Sequence, residues 1–296
     1  MLGTAQLSSL LTGGSRTEGA RAEEVDGFFA AGSMVRRLHR ERVVSFSGVR
    51  ALLMQACDPL AVVGFARHSA IYDDPAARLR RTDEHMSRIY FGTVEEAERT
   101  GAMVRAMHKQ VRGRAAADYG PIAKGTPYAA SDPALGLWVL ASLADSALLY
   151  YERVFGRLPA ADRERYWVEY RRVGKLLGLP EQAMPATLEG LRAYIDGRLT
   201  DGSLWISEDR RREAVAMVLD PPFGGLAKVV AAPLTEMIRL VSAGLLPAQI
   251  RTMLALPWDP ARAALLRSTL LQLRIGVRFW VEPIRLHPAA RASLAA

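Results

Sequence analysis

The sequence contains little cysteine and little lysine. Cys57 is the single cysteine among 296 residues, so no disulfide can form within the chain and nothing requires an oxidising compartment. Lysine occurs only at Lys109, Lys124, Lys175 and Lys228, and arginine supplies the rest of a formal net charge of +8. Because the arginines are scattered and accompany no recognised nucleic-acid motif, the charge indicates a solvated surface rather than a nucleic-acid partner.

Long apolar runs are also missing. No stretch of 18 or more residues is both apolar and uncharged, and the best candidate, Leu226–Leu246, contains Lys228, Glu236 and Arg239. This pattern predicts a chain without a transmembrane span. Residues 1–24 lack the basic segment and long apolar segment of a signal peptide, so we expect a cytoplasmic protein.

The composition predicts one domain with a tail at each end. Half of the residues are hydrophobic and 24% are charged, a mixture that can build a large core. The length suits one domain with peripheral helices. Glycine, serine and threonine are frequent near the start, so we expect a flexible tail at 1–24, a helical domain at 25–285 and a C-terminal tail at 286–296.

Helical spacing recurs along the chain, whereas the sustained alternation typical of strands is nearly absent. The apolar segment Gly48–Phe65 predicts a buried helix that Pro59 kinks or splits. Asp-Pro pairs at 74–75 and 132–133 predict helix starts, and Thr93 begins a capping-box spacing. After Pro133 a helical stripe that ends at Gly156 is predicted from Leu137, Ala141, Ala144, Leu148, Tyr151 and Phe155. Further helices are predicted at 160–177, 185–199, 208–219, 226–244, 247–254 and 259–281. The fold class is therefore all-α.

Standard catalytic motifs are absent from the sequence. There is no Walker A loop, no GxGxxG after a strand, no HExxH, no paired CxxC and no GxSxG. The ExxH pair that helical di-iron proteins use is also missing. One cysteine and five scattered histidines supply a structural zinc site poorly. Any chemistry must therefore come from a less common set of residues.

His108 is the first candidate site residue. In the helix that begins after Thr93, it shares an apolar stripe with Val104 and Val111, so its imidazole must find a partner or bear a desolvation penalty. A core histidine bonded to a backbone carbonyl is the commoner explanation. The alternative is an axial ligand to haem iron, which needs a neutral imidazole in an apolar pocket.

The second candidate set lies on one face of another predicted helix. Arg78, Thr82 and His85 are spaced to share one side of it. A guanidinium, a hydroxyl and an imidazole could donate hydrogen bonds to a haem propionate or to bound oxygen. Ordinary surface charge, with Asp83 and Glu84 paired nearby, explains the same residues equally well.

An ordered series of short motifs resembles a known family. In chain order the motifs are Arg50–Gln55, Asp58–Gly64, His68-Ser69, Arg78–Thr82, Phe91-Gly92, His108–Gly113, Asp132-Pro133, Leu137–Val139, Tyr151-Glu152 and Phe155-Gly156. Over roughly residues 35–255 this series resembles the oxygenases related to MpaB of mycophenolic acid biosynthesis and to the rubber oxygenase, or latex clearing protein. Each motif is weak alone, and their order makes the resemblance specific.

The resemblance implies an all-helical, globin-like core that holds a b-type haem. It implies that His108, in an HxxVxG motif, is the proximal iron ligand. Arg78, Arg81 and Thr82 match the Arg-x-x-Lys-Thr segment near the distal side of the haem, with Arg81 in place of the lysine. Because a guanidinium stays protonated, Arg81 is a poor iron ligand, and an electrostatic or propionate contact is its expected role.

Two positions depart from the family pattern. Many relatives carry His-Pro where this chain has Asp58-Pro59, and many carry a histidine where it has Leu140. These departures favour, as an alternative, a haem-binding or sensing protein without turnover. Asp145 and Glu152 lie seven residues apart on one helix face, and we interpret them as buried polar anchors.

We therefore predict a haem b-dependent oxygenase that acts with O2 on a hydrophobic small molecule, with unsaturated compounds included. Arg78, Arg81 and Thr82 are the predicted catalytic residues, and His108 is the predicted metal ligand. Arg78 and Thr82 join His108 as cofactor-binding residues. The apolar helices Gly48–Phe65 and Pro133–Phe155 are expected to line the pocket. A haem-free helical ligand-binding protein is a further alternative, in which His108 is only a core residue.

Overall fold

The computed structural model describes residues 27–68, 75–219 and 225–295. Its helices are α1 Met34–His39, α2 Arg42–Ser45, α3 Ser47–Gln55, α4 Pro59–His68, α5 Pro75–Phe91, α6 Val94–Gln110, α7 Pro133–Phe155, α8 Ala160–Leu176, α9 Leu188–Thr200, α10 Glu208–Leu219, α11 Gly225–Leu245, α12 Ala248–Met253, α13 Pro260–Gly276, α14 Glu282–Arg285 and α15 Pro288–Ala295. The two short strands are β1 Arg112–Arg114 and β2 Pro127–Ala129. The prediction of a single all-α domain is confirmed, and the globin-like arrangement of its core stays a prediction.

Local capping signals determine where several helices begin. The Asp58 carboxylate accepts a hydrogen bond from the Ala61 amide at 2.9 Å, so Pro59 starts a new helix and splits the apolar segment as predicted. Asp132 caps α7 in the same way. Thr93 and Glu96 form the predicted capping box at the start of α6. Asp74, the other predicted cap, lies outside the described residues.

α7 is the central helix of the core. Its predicted stripe of Leu137, Ala141, Ala144, Leu148 and Tyr151 is buried, and α7 packs against α2, α3, α8, α9 and α13. Within the described residues, α7 is also the helix whose length and composition would allow it to cross a membrane. Since 61% of its most apolar window is buried inside the fold, a core helix accounts for the same composition.

The strands form a small antiparallel hairpin directly after α6. Arg112 pairs with Ala129, and Gly113 pairs with Tyr128. The sequence did not predict these strands, because three residues of which two are arginines and one is glycine carry no alternating apolar pattern. The hairpin fixes the path of the chain beyond the end of α6.

The segment predicted as a C-terminal tail contains a packed helix. α15 contacts α5, Ala290 is buried, and the Ser293 hydroxyl accepts a hydrogen bond from Arg36 at 2.7 Å. His287 Nε2 lies 3.2 Å from an Asp83 carboxylate oxygen on α5. The predicted N-terminal tail at 1–24 lies outside the described residues.

Candidate functional site

The predicted site residues lie on the αα-hairpin that α5 and α6 form. Each helix has 17 residues, and only Gly92 and Thr93 separate them. Since the two helices pack against each other after so short a connection, they run antiparallel. The start of α5 therefore lies at the same end as the last turns of α6. We call this the open end of the hairpin: residues 78–85 of α5 and 103–110 of α6.

The described α5 side chains at the open end are mostly accessible. Arg81 and Thr82 are exposed, as are their acidic neighbours Asp83 and Glu84. Arg78 lies on α5, but its side chain is outside the described part of the chain. His85 is half-buried, and burial together with the charge of Arg88 lowers the pKa of its imidazole. α5 thus offers a guanidinium and a hydroxyl that solvent can reach.

His108 is also exposed, in the last turn of α6. The reason lies in how α6 meets α8. A Cβ built at Gly101 would come within 2.8 Å of the Leu176 carbonyl oxygen, and Arg105 donates a hydrogen bond to that same carbonyl. Because α8 ends at Leu176, the residues beyond Arg105 project past it. The predicted apolar stripe is accordingly buried only where α6 contacts its neighbours, at Ala97 and Gly101.

Two exposed methionines precede His108 in the last turns of α6. Met103 and Met107 are exposed to 39% and 44%. Their thioether chains are flexible and polarizable and suit an irregular apolar surface. At 100° per residue they lie about 140° and about 100° from His108 around the helix, so they occupy other faces of α6. An accessible imidazole on α6 and an accessible guanidinium on α5 are groups that can hold a planar cofactor with carboxylate substituents.

The glycine of the HxxVxG motif has a visible structural reason. Gly113 pairs with Tyr128, and a Cβ at Gly113 would lie 2.8 Å from the Tyr128 hydroxyl oxygen. A Cβ built on Gly64 of α4 would lie 3.7 Å from the Tyr128 ring, so the ring also lies beside Gly64. Any side chain at position 113 would push Tyr128 away. The motif therefore anchors the chain immediately after His108 to both β2 and α4.

His39 is a half-buried histidine that sequence reasoning did not single out. It stacks on Tyr90 with ring centroids 4.0 Å apart, and its Nε2 lies 3.2 Å from the Tyr166 hydroxyl. Desolvation, with a smaller effect of His287, lowers the pKa of His39 to about 3. His39 is therefore neutral near pH 7 and packed among tyrosine rings. The clue in the sequence was its place beside the apolar residues of α1.

A pair of tyrosine hydroxyls also belongs to the aromatic cluster around His39. The hydroxyl oxygens of Tyr90 and Tyr170 lie 2.9 Å apart, and burial raises the pKa of Tyr170 to about 12. These rings come from α5 and α8, far from α1 in the chain. The cluster links α1, α5 and α8 through contacts between their aromatic rings.

Asp58, one of the two departures from the family pattern, forms a buried ion pair. Arg198 donates to its carboxylate at 2.9 Å, and the guanidinium also stacks over the Trp138 ring with its central carbon 5.0 Å from the ring centroid. Arg198 further donates to Ser203 at 2.8 Å. The Trp138 indole N–H is buried and finds no hydrogen-bond partner among the described residues. Position 58 is thus an anchoring carboxylate and cannot replace an imidazole in proton transfer.

Leu140, the other departure, is an ordinary core contact. A Cβ at Gly174 of α8 would lie 2.7 Å from a Leu140 methyl carbon, and Leu140 is buried. The two predicted polar anchors on α7 behave as expected. Asp145 pairs with Arg50 at 2.8 Å, and Glu152 accepts from the Leu158 amide at 3.0 Å. These carboxylates stabilise the packing around α7.

The helices that were expected to line a pocket pack directly on each other instead. Arg50 of α3 donates to Ser146 of α7 at 2.6 Å, and Gln55 donates to Ser142 at 2.8 Å. An apolar cavity lies nearby, but its volume of about 10 Å³ is enough only for a water molecule. Its lining residues are Val43, Phe46, Tyr150, Arg153, Val154, Met237, Ile238, Val241, Leu245, Leu270 and Leu273. Cys57 in this region is buried, and burial raises the pKa of its thiol to about 12.

The fold and the site together define a helical protein with an accessible imidazole and guanidinium groups at one end of an αα-hairpin. The chain belongs to the family described as "ER-bound oxygenase mpaB/B'/Rubber oxygenase, catalytic domain", which it matches over residues 35–275. The match spans α1 to α13 and includes both arms of the hairpin. The resemblance inferred from the ordered motifs is confirmed.

Two relatives are uncharacterized mycobacterial proteins. One is from Mycobacterium bovis and the other from Mycobacterium tuberculosis, and each is 27% identical to this chain over 212 residues. In both cases the alignment covers 70% of this chain and 77% of the relative. No solved structure matches the chain. The comparisons therefore supply the family, an oxygenase family, and leave the cofactor and substrate to chemical argument.

Proposed function

We propose that this protein is a haem b-dependent oxygenase that uses O2 to oxidise a hydrophobic small molecule, with His108 as the iron ligand. Family membership supports oxygenase chemistry. The observation that carries the assignment of the ligand is the exposed imidazole of His108 at the open end of the hairpin. An external cofactor can reach this imidazole without any rearrangement of the core.

The other described histidines suit iron less well. His39 packs among tyrosine rings, and its Nε2 faces a hydroxyl. His287 is committed at both nitrogens, since Nδ1 accepts from the Ala289 amide at 3.2 Å and Nε2 faces Asp83. His85 is half-buried on α5. His68 closes α4, and its side chain is outside the described part.

The neighbouring residues have complementary chemistry. A guanidinium stays charged and can bind a carboxylate through two parallel hydrogen bonds, so Arg81 and Arg78 suit the haem propionates. The Thr82 hydroxyl can donate a hydrogen bond toward the reacting oxygen atoms. When bound, a haem supplies the redox-active iron, while the protein orients it and excludes water.

A haem-binding protein without turnover is the second candidate. Two positions at which many relatives carry histidine hold a carboxylate bound to Arg198 and a leucine packed against α8. These positions therefore supply a paired carboxylate and an apolar side chain in place of the imidazoles of those relatives. Measured oxygen consumption with hydrophobic substrates distinguishes this candidate from the oxygenase.

The decisive experiment is an absorption spectrum of the purified protein, as isolated and after dithionite reduction, with and without added haem. We expect a Soret band at one haem per chain, which His108→Ala shifts or abolishes. His85→Ala, on the opposite arm of the hairpin, is the matched control and should leave the spectrum unchanged. Circular dichroism establishes that each variant is folded.

Two results would contradict the proposal. A folded wild-type protein that stays colourless with added haem would favour the haem-free ligand-binding alternative. A Soret band that is identical in the wild type and in His108→Ala would move the iron to another ligand.

A further inference from the structure

Helix α13 presents apolar residues on two opposite faces. Its inner face, with Leu266, Leu273 and the following Val277, contacts α7 and α11. A second apolar row lies on the outside, where Leu271, Ile275 and Phe279 follow one another at intervals of four. A helix of a soluble domain normally has one apolar face and a polar one. The outer row therefore has no role in packing the domain.

The outer row is well exposed and continues past the end of the helix. Leu271 is 59% exposed, Ile275 51% and Phe279 80%. The hydrogen bonds from the Arg278 and Phe279 amides back to Ile275 and Gly276 keep the chain in helical turns up to Phe279. Val281 and Ile284 follow and are exposed as well. An exposed apolar patch of this kind marks a surface that another body covers.

Arginines border the outer row on one side. At 100° per residue, Arg267 and Arg278 lie beside Leu271 on the helix circumference, and Arg274 lies next to them. All three are exposed, and within the described part of the chain none of them forms an ion pair. Glu282 is the nearby acid on this surface. The surface is therefore apolar along its centre and positive along one edge.

Another arginine-rich helix shows that this arrangement is particular to α13. On α10, Arg211 and Arg212 both lie within 4 Å of the Glu208 carboxylate, at 3.7 Å and 2.6 Å. Such i,i+3 and i,i+4 pairs neutralise the surface and favour solvent exposure. On α13, Arg262 pairs with Asp259 at 3.7 Å, whereas Arg267, Arg274 and the following Arg278 lack this compensation among the described residues and can pair with an external anion.

We propose that the outer face of α13 and the segment through Ile284 dock this protein on an anionic phospholipid surface. Apolar side chains with a flanking row of basic residues are the pattern of helices that lie in the interfacial plane of a bilayer. Phe279 inserts between lipid chains, and Arg267 and Arg278 contact the phosphates. This docking goes beyond the proposed oxygenase activity and does not depend on it.

Charge argues against a second copy as the occupant. In a symmetric dimer the same patch faces itself, and this patch would bring arginines from both copies together with only Glu282 to offset them. Like charges at an interface oppose association. A phosphate-rich surface offers negative charge along the edge and apolar chains beneath it.

The test is flotation of the full chain with vesicles of phosphatidylcholine alone and of phosphatidylcholine with an equal share of phosphatidylglycerol. We expect binding to the anionic vesicles only, and binding that weakens as salt rises. The double variant Ile275→Ser/Phe279→Ser should lose flotation. The double variant Arg267→Gln/Arg278→Gln should weaken the binding constant roughly 25-fold, at about 5-fold per arginine.

Two controls match these variants in chemistry and exposure. Val168→Ser replaces an apolar side chain that is 47% exposed on α8, and Arg211→Gln/Arg212→Gln replaces arginines that are already paired. Both should float like the wild type. Absence of flotation with anionic vesicles, or equal flotation of the Phe279 variant, would overturn the proposal. So would a dimer in light scattering that Phe279→Ser dissociates, because a second copy would then cover the patch.

Discussion

The buried core and the open end of the α5–α6 hairpin hold the same kinds of side chain in opposite conditions. In the core, His39 faces a tyrosine hydroxyl and Arg198 faces the Asp58 carboxylate. At the open end, His108 and Arg81 are exposed. The difference teaches that the same side-chain types form specific contacts inside the fold and stay accessible to a ligand at the open end.

The physical reason is desolvation. A charged or polar group that loses water must regain its hydrogen bonds inside the protein, or the fold loses free energy. The core residues regain theirs from specific atoms, so replacing them should affect stability first. The open-end residues are exposed to solvent, so replacing them should affect ligand binding first.

The largest expected effect on stability is that of Arg198→Ala. The substitution leaves the buried Asp58 carboxylate without its cation and removes the stack on Trp138, so the free energy of unfolding should fall by about 3 kcal/mol. Urea unfolding followed by circular dichroism measures the loss. Arg212→Ala, in an exposed pair on α10, is the matched control and should change stability by less than about 0.5 kcal/mol. An equal effect of the two substitutions would erase the distinction between core and surface arginines.

The next effect concerns pH and His39. Its pKa is about 3 in the folded protein and 6.5 as an ordinary value, so the unfolded chain binds the proton more readily. The contribution of His39 to stability is present above pH 6.5 and is lost as pH falls toward 3, at roughly 1.4 kcal/mol per pH unit. His39→Phe keeps a ring on Tyr90 and removes the titrating group.

The measurement is the free energy of unfolding of both proteins between pH 7 and pH 4.5. We expect the wild type to lose stability more steeply than His39→Phe over this interval. Parallel curves would mean that His39 is hydrated in the folded protein, and the contrast with His108 would disappear.

The smallest expected effect on stability is at the open end. Arg81→Gln and Thr82→Val replace exposed side chains, so each should change the free energy of unfolding by less than about 0.5 kcal/mol. If these residues contact a haem, each substitution should nevertheless raise the haem dissociation constant by roughly 5- to 10-fold, the value of one ordinary hydrogen bond. Haem titration followed by absorbance gives the constant. A large loss of stability without a change in haem affinity would mean that these residues stabilise the fold, as the core residues do, and do not bind haem.

Local sequence signals predicted much of the fold. Pro59 after Asp58, Pro133 after Asp132, and Thr93 with Glu96 each determine a helix start through bonds within four residues. The stripe from Leu137 to Tyr151 identified the buried face of α7 because apolar residues recur at helical spacing over about four turns.

Contacts between distant segments were beyond sequence reasoning. His39 packs against Tyr90 and Tyr166, which are 51 and 127 positions away in the chain. The six residues of α1 give no indication of these contacts. His108 is exposed because α8 ends at Leu176, which the pattern of α6 cannot reveal. The family resemblance selected the α5–α6 hairpin and its candidate residues. The structure adds that α6 is exposed to solvent around His108, where the sequence predicted a buried face.

Gly101 is the point at which α6 packs closely against α8. Because its missing side chain lets the helix rest on the Leu176 carbonyl, even a single methyl group there must lift α6 away from α8. His108 lies seven residues, about two turns, farther along the same helix. A small tilt of α6 at Gly101 therefore displaces His108 by a larger distance. The position of the His108 imidazole therefore depends on the lack of a side chain at Gly101, about 10 Å away along the helix axis.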